Sequence, residues 1–155
     1  MSTLVQTDTE AVVLLIGKFN SAWNNKDLGQ LSRFLAVDVK YQNPNIKLGV
    51  FNFPGKEIHG QFKVLQFWRG FFEKFKSIEE DKKVLSIKKQ DNGYHVICDA
   101  HNHGLRLSSK LIIILNSELQ IREFNFTKVT KYKAEETISV FTLLIKQLKA
   151  KYFSN

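Results

Sequence analysis

Three times in the first half of this chain, apolar residues recur with a helical period. Val12, Leu15, Ile16, Phe19 and Trp23 follow Thr7-x-x-Glu10, which fits a capping box and predicts a first helix. Asn24-Asn25-Lys26 breaks the pattern. Asp27-x-x-Gln30 caps a short second helix with Leu28, Leu31, Phe34 and Leu35 inward. Residues 38–43 then alternate, with Val39, Tyr41 and Asn43 on one side and Lys40 and Gln42 on the other, which predicts a strand. Pro44 ends it, because proline brings no N–H to a ladder. Residues 45–57, with two glycines and a proline, read as a loop; its Val50, Phe51 and Phe53 suit a lid over a pocket or a cap on the core equally. A third helix runs from about Gly60 to Phe75. It is apolar on more than one side, through Val64, Leu65, Phe67, Trp68, Phe71 and Phe72, so it is expected to be largely buried.

The period then changes to two. Strands are predicted over about 82–90, 94–102, 105–115 and 119–129. Asp91-Asn92-Gly93 is a hairpin turn, and Asn102-His103-Gly104 and Asn116-Ser117-Glu118 read as turns too. Tight turns imply an antiparallel meander. A last helix at about 134–152 aligns Ile138, Phe141, Leu144, Ile145, Leu148 and Tyr152. The predicted class is α+β: a cone of three N-terminal helices against a curved antiparallel β-sheet, plus an extra C-terminal helix. A cone has one deep mouth, where small ligands bind. Phe19, Trp23, Phe67, Trp68 and Phe71 are the candidate ligand-binding walls.

Composition narrows the partners. With 155 residues, 43% hydrophobic and 13 of them Phe, one domain with a real core is expected. A single cysteine, Cys98, excludes an internal disulfide framework. The first residues do not resemble a signal peptide, and apolar runs such as Leu111 to Leu115 are too short to span a bilayer. The expectation is a cytoplasmic protein with no membrane span. Of the formal charge of +8, +6 lies in residues 81–155. The lysines there are scattered, which fits a solvated surface better than a nucleic-acid footprint.

Other chemistry is sparse. His95, His101 and His103 share one strand parity, but no further residue has metal-like spacing, so no metal is expected. Cys98 has no catalytic framework around it and reads as a buried thiol. There is no Gly-rich phosphate loop and no G-x-S-x-G elbow, and no cofactor is expected.

Phe19-x-x-Ala22-Trp23-x-x-x-Asp27-Leu28, Leu31-x-x-x-Leu35-x-x-Asp38-x-x-Tyr41-x-x-Pro44, Ile58-x-Gly60-x-x-x-Val64-x-x-Phe67 and the meander together resemble the nuclear transport factor 2-like superfamily. Its SnoaL-like, ketosteroid-isomerase-like and limonene-epoxide-hydrolase-like branch is the nearest. The resemblance makes 1–155 a single SnoaL-like domain, with a core at 8–129 and a helical extension at 130–155. It implies a cavity for a small apolar molecule and a homodimer through the sheet's open face. Ketosteroid-isomerase chemistry does not carry over. Asn43 stands where the base is expected, Phe19 where the oxyanion-hole tyrosine is expected, and the aspartic acid's place near Leu111 is apolar.

The epoxide-hydrolase pattern carries over in part. Tyr41 and Asn43 match its water-holding pair, and Asp99 and Glu123 fall at its two aspartates, whereas Ile97 replaces the bridging arginine. On that reading Asp99, Glu123, Tyr41 and Asn43 are the catalytic residues, one carboxylate acting as base and the other as acid in water addition or isomerisation. The competing reading of each carboxylate is the solvent face of its strand. Two functions are therefore expected: a cavity protein with acid-base chemistry, or a non-catalytic dimeric module whose basic C-terminal half meets a protein or nucleic acid. Convergence of the four side chains in one closed pocket favours the first. Solvent-facing carboxylates, or a cone filled by phenylalanine, favour the second.

Overall fold

The computed structural model describes residues 2–43, 46–48, 51–53, 55–76, 78–103 and 106–131. The helix expected at 134–152 and the side chain of Asn43 lie outside the described residues. Among the described residues there are three helices and eight strands, in the order α1 (Ser2–Asn24), α2 (Leu28–Phe34), β1 (Leu35–Asn43), β2 (Ile46–Leu48), β3 (Phe51–Phe53), β4 (Lys56–His59), α3 (Gln61–Lys74), β5 (Glu80–Gln90), β6 (Gly93–Asn102), β7 (Leu107–Asn116) and β8 (Ile121–Lys131).

Local chemistry explains most boundaries. Helix α1 begins upstream of Thr7 and buries Val12, Ile16, Phe19 and Trp23 on one face, as the spacing predicts. Asp27 caps α2 by accepting from the Gln30 N–H at 3.1 Å. Leu35 does not continue that helix; its extended backbone opens β1, and it stays buried. Gly60 precedes α3 at φ +95°, a conformation that favours glycine. Its N–H donates to the Val39 carbonyl at 2.8 Å, which fastens α3 to β1. Asn116 closes the last hairpin by accepting from the N–H groups of Glu118 and Gln120. The β5–β6 turn needs Gly93, where φ is +144° and a Cβ would overlap the Leu115 carbonyl.

Two local expectations change between β1 and the meander. The segment read as a loop at 45–57 holds β2 and β3, paired antiparallel, and β4, paired antiparallel to β1. Its short apolar alternations, Ile46 with Leu48 and Phe51 with Phe53, are strand-like. Helix α3 buries only the stripe Val64, Trp68 and Phe72; Phe67 and Phe71 are half-buried and Phe62 is exposed.

The six-stranded sheet has the order β4-β1-β8-β7-β6-β5. The meander from β5 to β8 is antiparallel, as the turns predict. Strand β1, however, lies parallel to β8, so this curved, unclosed sheet is mixed. Hairpin turns join only antiparallel neighbours, and β1 reaches its partner through every element in between. Helices α1 and α3 cover the inner face, where Val96 and Cys98 of β6, Leu111 and Ile113 of β7, and Phe124 of β8 are buried. The class is α+β.

Candidate functional site

Alternation along β1 turns Tyr41 inward between the helices and the sheet. Its ring stacks on Phe124 at 5.8 Å and 18°, and lies 5.4 Å from Phe67 and 5.8 Å from Trp68. Phe19 and Trp23 continue this floor: Trp23 meets Trp68 at 5.1 Å and 87°, and Phe19 meets Trp68 and Phe124 at 5.9 and 5.5 Å. Most of these rings meet edge to face or tilted, the arrangements their quadrupoles favour. The five expected wall residues divide into two sets. Phe19, Trp23 and Trp68 are buried and packed on one another, whereas Phe67 and Phe71 are half-buried and rim the inner face.

Asp99 and Glu123 do not join Tyr41. In β6 Val96, Cys98, Ala100 and Asn102 alternate as buried positions, so Asp99 lies with Ile97 on the outer face. There it faces Lys110 across the β6–β7 pair and forms an ion pair and hydrogen bond with it. Glu123 stands opposite Ile114 of β7 and Lys40 of β1, again outward, while its neighbour Phe124 is buried. The inward positions beside Asp99 hold Cys98 and Ala100. With a side-chain period of two, one residue of register separates an inward carboxylate from an outward one. The backbone of Asn43 pairs with Lys56 at the edge of the sheet.

Among the described residues, a charged pair that does face inward is Glu80 and Lys82, at the start of β5. The Lys82 side chain has 0% exposure and that of Glu80 6%. Lys82 Nζ lies 2.7 Å from Glu80 Oε1 and donates to Asn20 Oδ1 at 3.0 Å. It also sits 5.4 Å from the Phe19 ring centre and 5.5 Å from that of Trp23, within cation–π range. Asn24 grips the Glu80 backbone, accepting from its N–H at 2.8 Å and donating to its carbonyl at 3.0 Å. The Lys82 ammonium is thus the charge partner of Glu80 Oε1 in a site closed to solvent. Sequence reading missed this pair because Glu79-Glu80-Asp81-Lys82-Lys83 is charged at every position, leaving no alternation to mark a face. The available signal was parity, since Glu80 and Lys82 are in step with Val84.

Electrostatics fit this placement. Burial pushes the Tyr41 hydroxyl well above the usual tyrosine range, the charge of Glu80 adds to the rise, and proximity to the Trp68 N–H opposes it. Burial likewise pushes the Cys98 thiol up to about 11, partly offset by Lys82, so Cys98 is protonated at neutral pH. On the outer face, His59 and Lys40 hold the exposed Glu57 carboxyl below its ordinary value. His103 pairs with Asp81 at 2.7 Å. Among the described residues no three metal-ligating side chains cluster, and no helix is long and apolar enough to cross a membrane.

No protein-family model matches the sequence, and no curated protein matches it significantly. Solved structures do match. A domain of unknown function with a cystatin-like fold from Nostoc punctiforme aligns with TM-score 0.64 and 12% identity, covering 92% of this chain and 98% of that one. An NTF-2 like protein of unknown function from Shewanella oneidensis aligns at 0.60 and 14%, covering 77% and 98%. A SnoaL-like protein of unknown function from Burkholderia thailandensis aligns at 0.55 and 10%, covering 75% and 92%. Three helices against a curved mixed sheet, matched to these neighbours over most of their lengths, are the fold of the nuclear transport factor 2-like superfamily.

Proposed function

We propose that this protein binds a small, largely apolar molecule on its inner face, without using Asp99 or Glu123 for chemistry. The observation that carries this reading is the aromatic surface itself. Tyr41, Phe67 and Phe71 line an inner face whose rim is half-buried, over a floor that includes a buried ion pair. Sites of this kind combine apolar walls with a few fixed polar groups. Asp99 is neutralised by Lys110 on the outer face, and Glu123 lies on that face too, which favours binding over water addition or isomerisation.

The test is a fluorescence titration with N-phenyl-1-naphthylamine. Saturable binding is expected, weakened about tenfold in Phe67→Ala by the loss of apolar contact, and within about twofold of wild type in Asp99→Asn and Glu123→Gln. Non-saturable binding, or indifference to Phe67→Ala, overturns the reading.

A second reading concerns the outer face of the same sheet. Ile97 and Ile112 face each other there, Ile114 follows, and all three are half-buried in the single chain beside the Asp99–Lys110 pair. A row of aliphatic side chains flanked by charges suits a second copy of this chain. Sedimentation equilibrium is expected to give a dimer that Ile112→Glu converts to a monomer. A wild-type monomer at micromolar concentration overturns this reading.

A further inference from the structure

Beside its buried stripe, helix α3 carries a second row of residues. Lys63, Phe67, Gly70 and Lys74 follow one another at i, i+4, i+7 and i+11, so at about 3.6 residues per turn they share one face. The two lysines are exposed, and Phe67 between them is half-buried. A Cβ at Gly70 would meet no packed neighbour within 4 Å, so the middle of the row is open to approach. Lys56 of β4 joins the row from the side, with its Nζ 6.0 Å from the centre of the Phe67 ring. Half-buried Phe71 borders it along the rim of the inner face. Lys56, Lys63 and Lys74 have no ion-pair partner among the described residues. Glu57, next to Lys56, is held instead by Lys40 at 3.4 Å and His59 at 3.0 Å. Glu73 lies about 100° round the helix from Lys74.

Unneutralised cations grouped around half-buried rings suit an anionic partner. Single-stranded nucleic acid fits these rings poorly, because it lays its bases on free aromatic faces. Here the rings are already engaged. Phe67 has Tyr41 at 5.4 Å and Lys56 over its ring, and Phe71 packs on Trp23, Phe72 and Phe75 at 6.0, 6.2 and 4.9 Å. A lipid surface asks for no free ring face. Lysine ends on long stems reach its anionic headgroups, while partly exposed rings meet the boundary with the acyl chains. We propose that the rim formed by Lys56, Lys63, Phe67 and Lys74 docks this protein on an anionic lipid bilayer. Docking there sets the rim of the inner face against the phase that holds poorly soluble apolar molecules. That consequence rests on the binding reading above, whereas the docking itself needs no ligand.

The test is co-sedimentation of the whole chain with large unilamellar vesicles, made of phosphatidylcholine alone or with about 30% phosphatidylserine. Partition onto the phosphatidylserine vesicles is expected to be at least about tenfold stronger at about 0.1 M salt, and to be lost at about 0.5 M. Lys63→Glu/Lys74→Glu is expected to weaken it at least about tenfold. Lys83→Glu/Lys88→Glu makes the same change of charge at exposed positions of β5, and is expected to weaken it less than about threefold. Equal losses in the two variants overturn the rim and leave diffuse attraction by net charge. Equal partition onto the two kinds of vesicle, or none onto either, overturns the anionic surface. If oligouridine binds with this dependence on Lys63 and Lys74 and the vesicles do not, the partner is a nucleic acid and the lipid assignment falls. Without vesicles, Lys63→Glu/Lys74→Glu is expected to bind N-phenyl-1-naphthylamine within about twofold of wild type, so a failed docking and a failed ligand site are read separately.

Discussion

Lys82→Met is expected to destabilise the fold by about 3–5 kcal/mol, the cost of leaving a buried carboxylate without its cation. Methionine keeps the stem packed against Phe19 and Trp23, so the loss isolates charge from volume. What remains is Glu80, with a side chain only 6% exposed, stripped of the ammonium 2.7 Å away. The double variant Glu80→Met/Lys82→Met is expected to recover most of that loss, because a buried pair replaced by apolar groups is often neutral. Lys110→Met makes the control. Its partner Asp99 and Lys110 itself are 30% and 44% exposed, so its loss is expected to cost less than about 1 kcal/mol. Urea denaturation measures all three. A silent Lys82→Met shows that Glu80 and Lys82 are not a desolvated, matched pair.

Trp68→Ala is expected to cost about 3–5 kcal/mol, the range for removing a buried tryptophan and leaving a cavity. Trp68 is 0% exposed and is the largest fully buried side chain among the described residues. Phe19, Trp23, Tyr41 and Phe124 all pack against it, so two helices and two strands lose contact at once. Urea unfolding of this variant is expected to show a lower midpoint with an unchanged slope. A midpoint within experimental error of wild type removes the aromatic floor from its place as the centre of the core.

Helix α1 and the meander were legible in the sequence because their signals are local. Five apolar residues at helical spacing and Asp91-Asn92-Gly93 need no partner to be recognised. Parallel pairing of β1 with β8 was not legible, since nothing in either strand names a neighbour so distant in sequence. The site divides the same way. Tyr41 has an unambiguous inward parity within its short strand, and it faces inward. Asp99 lies in a strand whose two faces are both partly apolar, Ile97 on one side and Val96 and Cys98 on the other. Pattern alone did not assign that carboxylate to a face, and placing it by resemblance fixed the register one residue away from an inward position. Glu80 and Lys82 were hidden for the opposite reason. Their surroundings in sequence are uniformly polar, and only the approach of α1, with Phe19, Asn20 and Trp23, makes them interior.

The seat of β1 between β4 and β8 has a consequence for how the chain acquires its fold. As synthesis proceeds from the N-terminus, all three helices emerge with their aromatic stripes before Phe124 exists to receive them. Tyr41 has Phe67 and Trp68 at hand early, but the ring it stacks on arrives with the last described strand. Long-range parallel pairing is slow because loop closure precedes its reward. The interval between α3 and β8 is thus the period when this protein most exposes phenylalanine to other chains, and when association with them competes most strongly with folding.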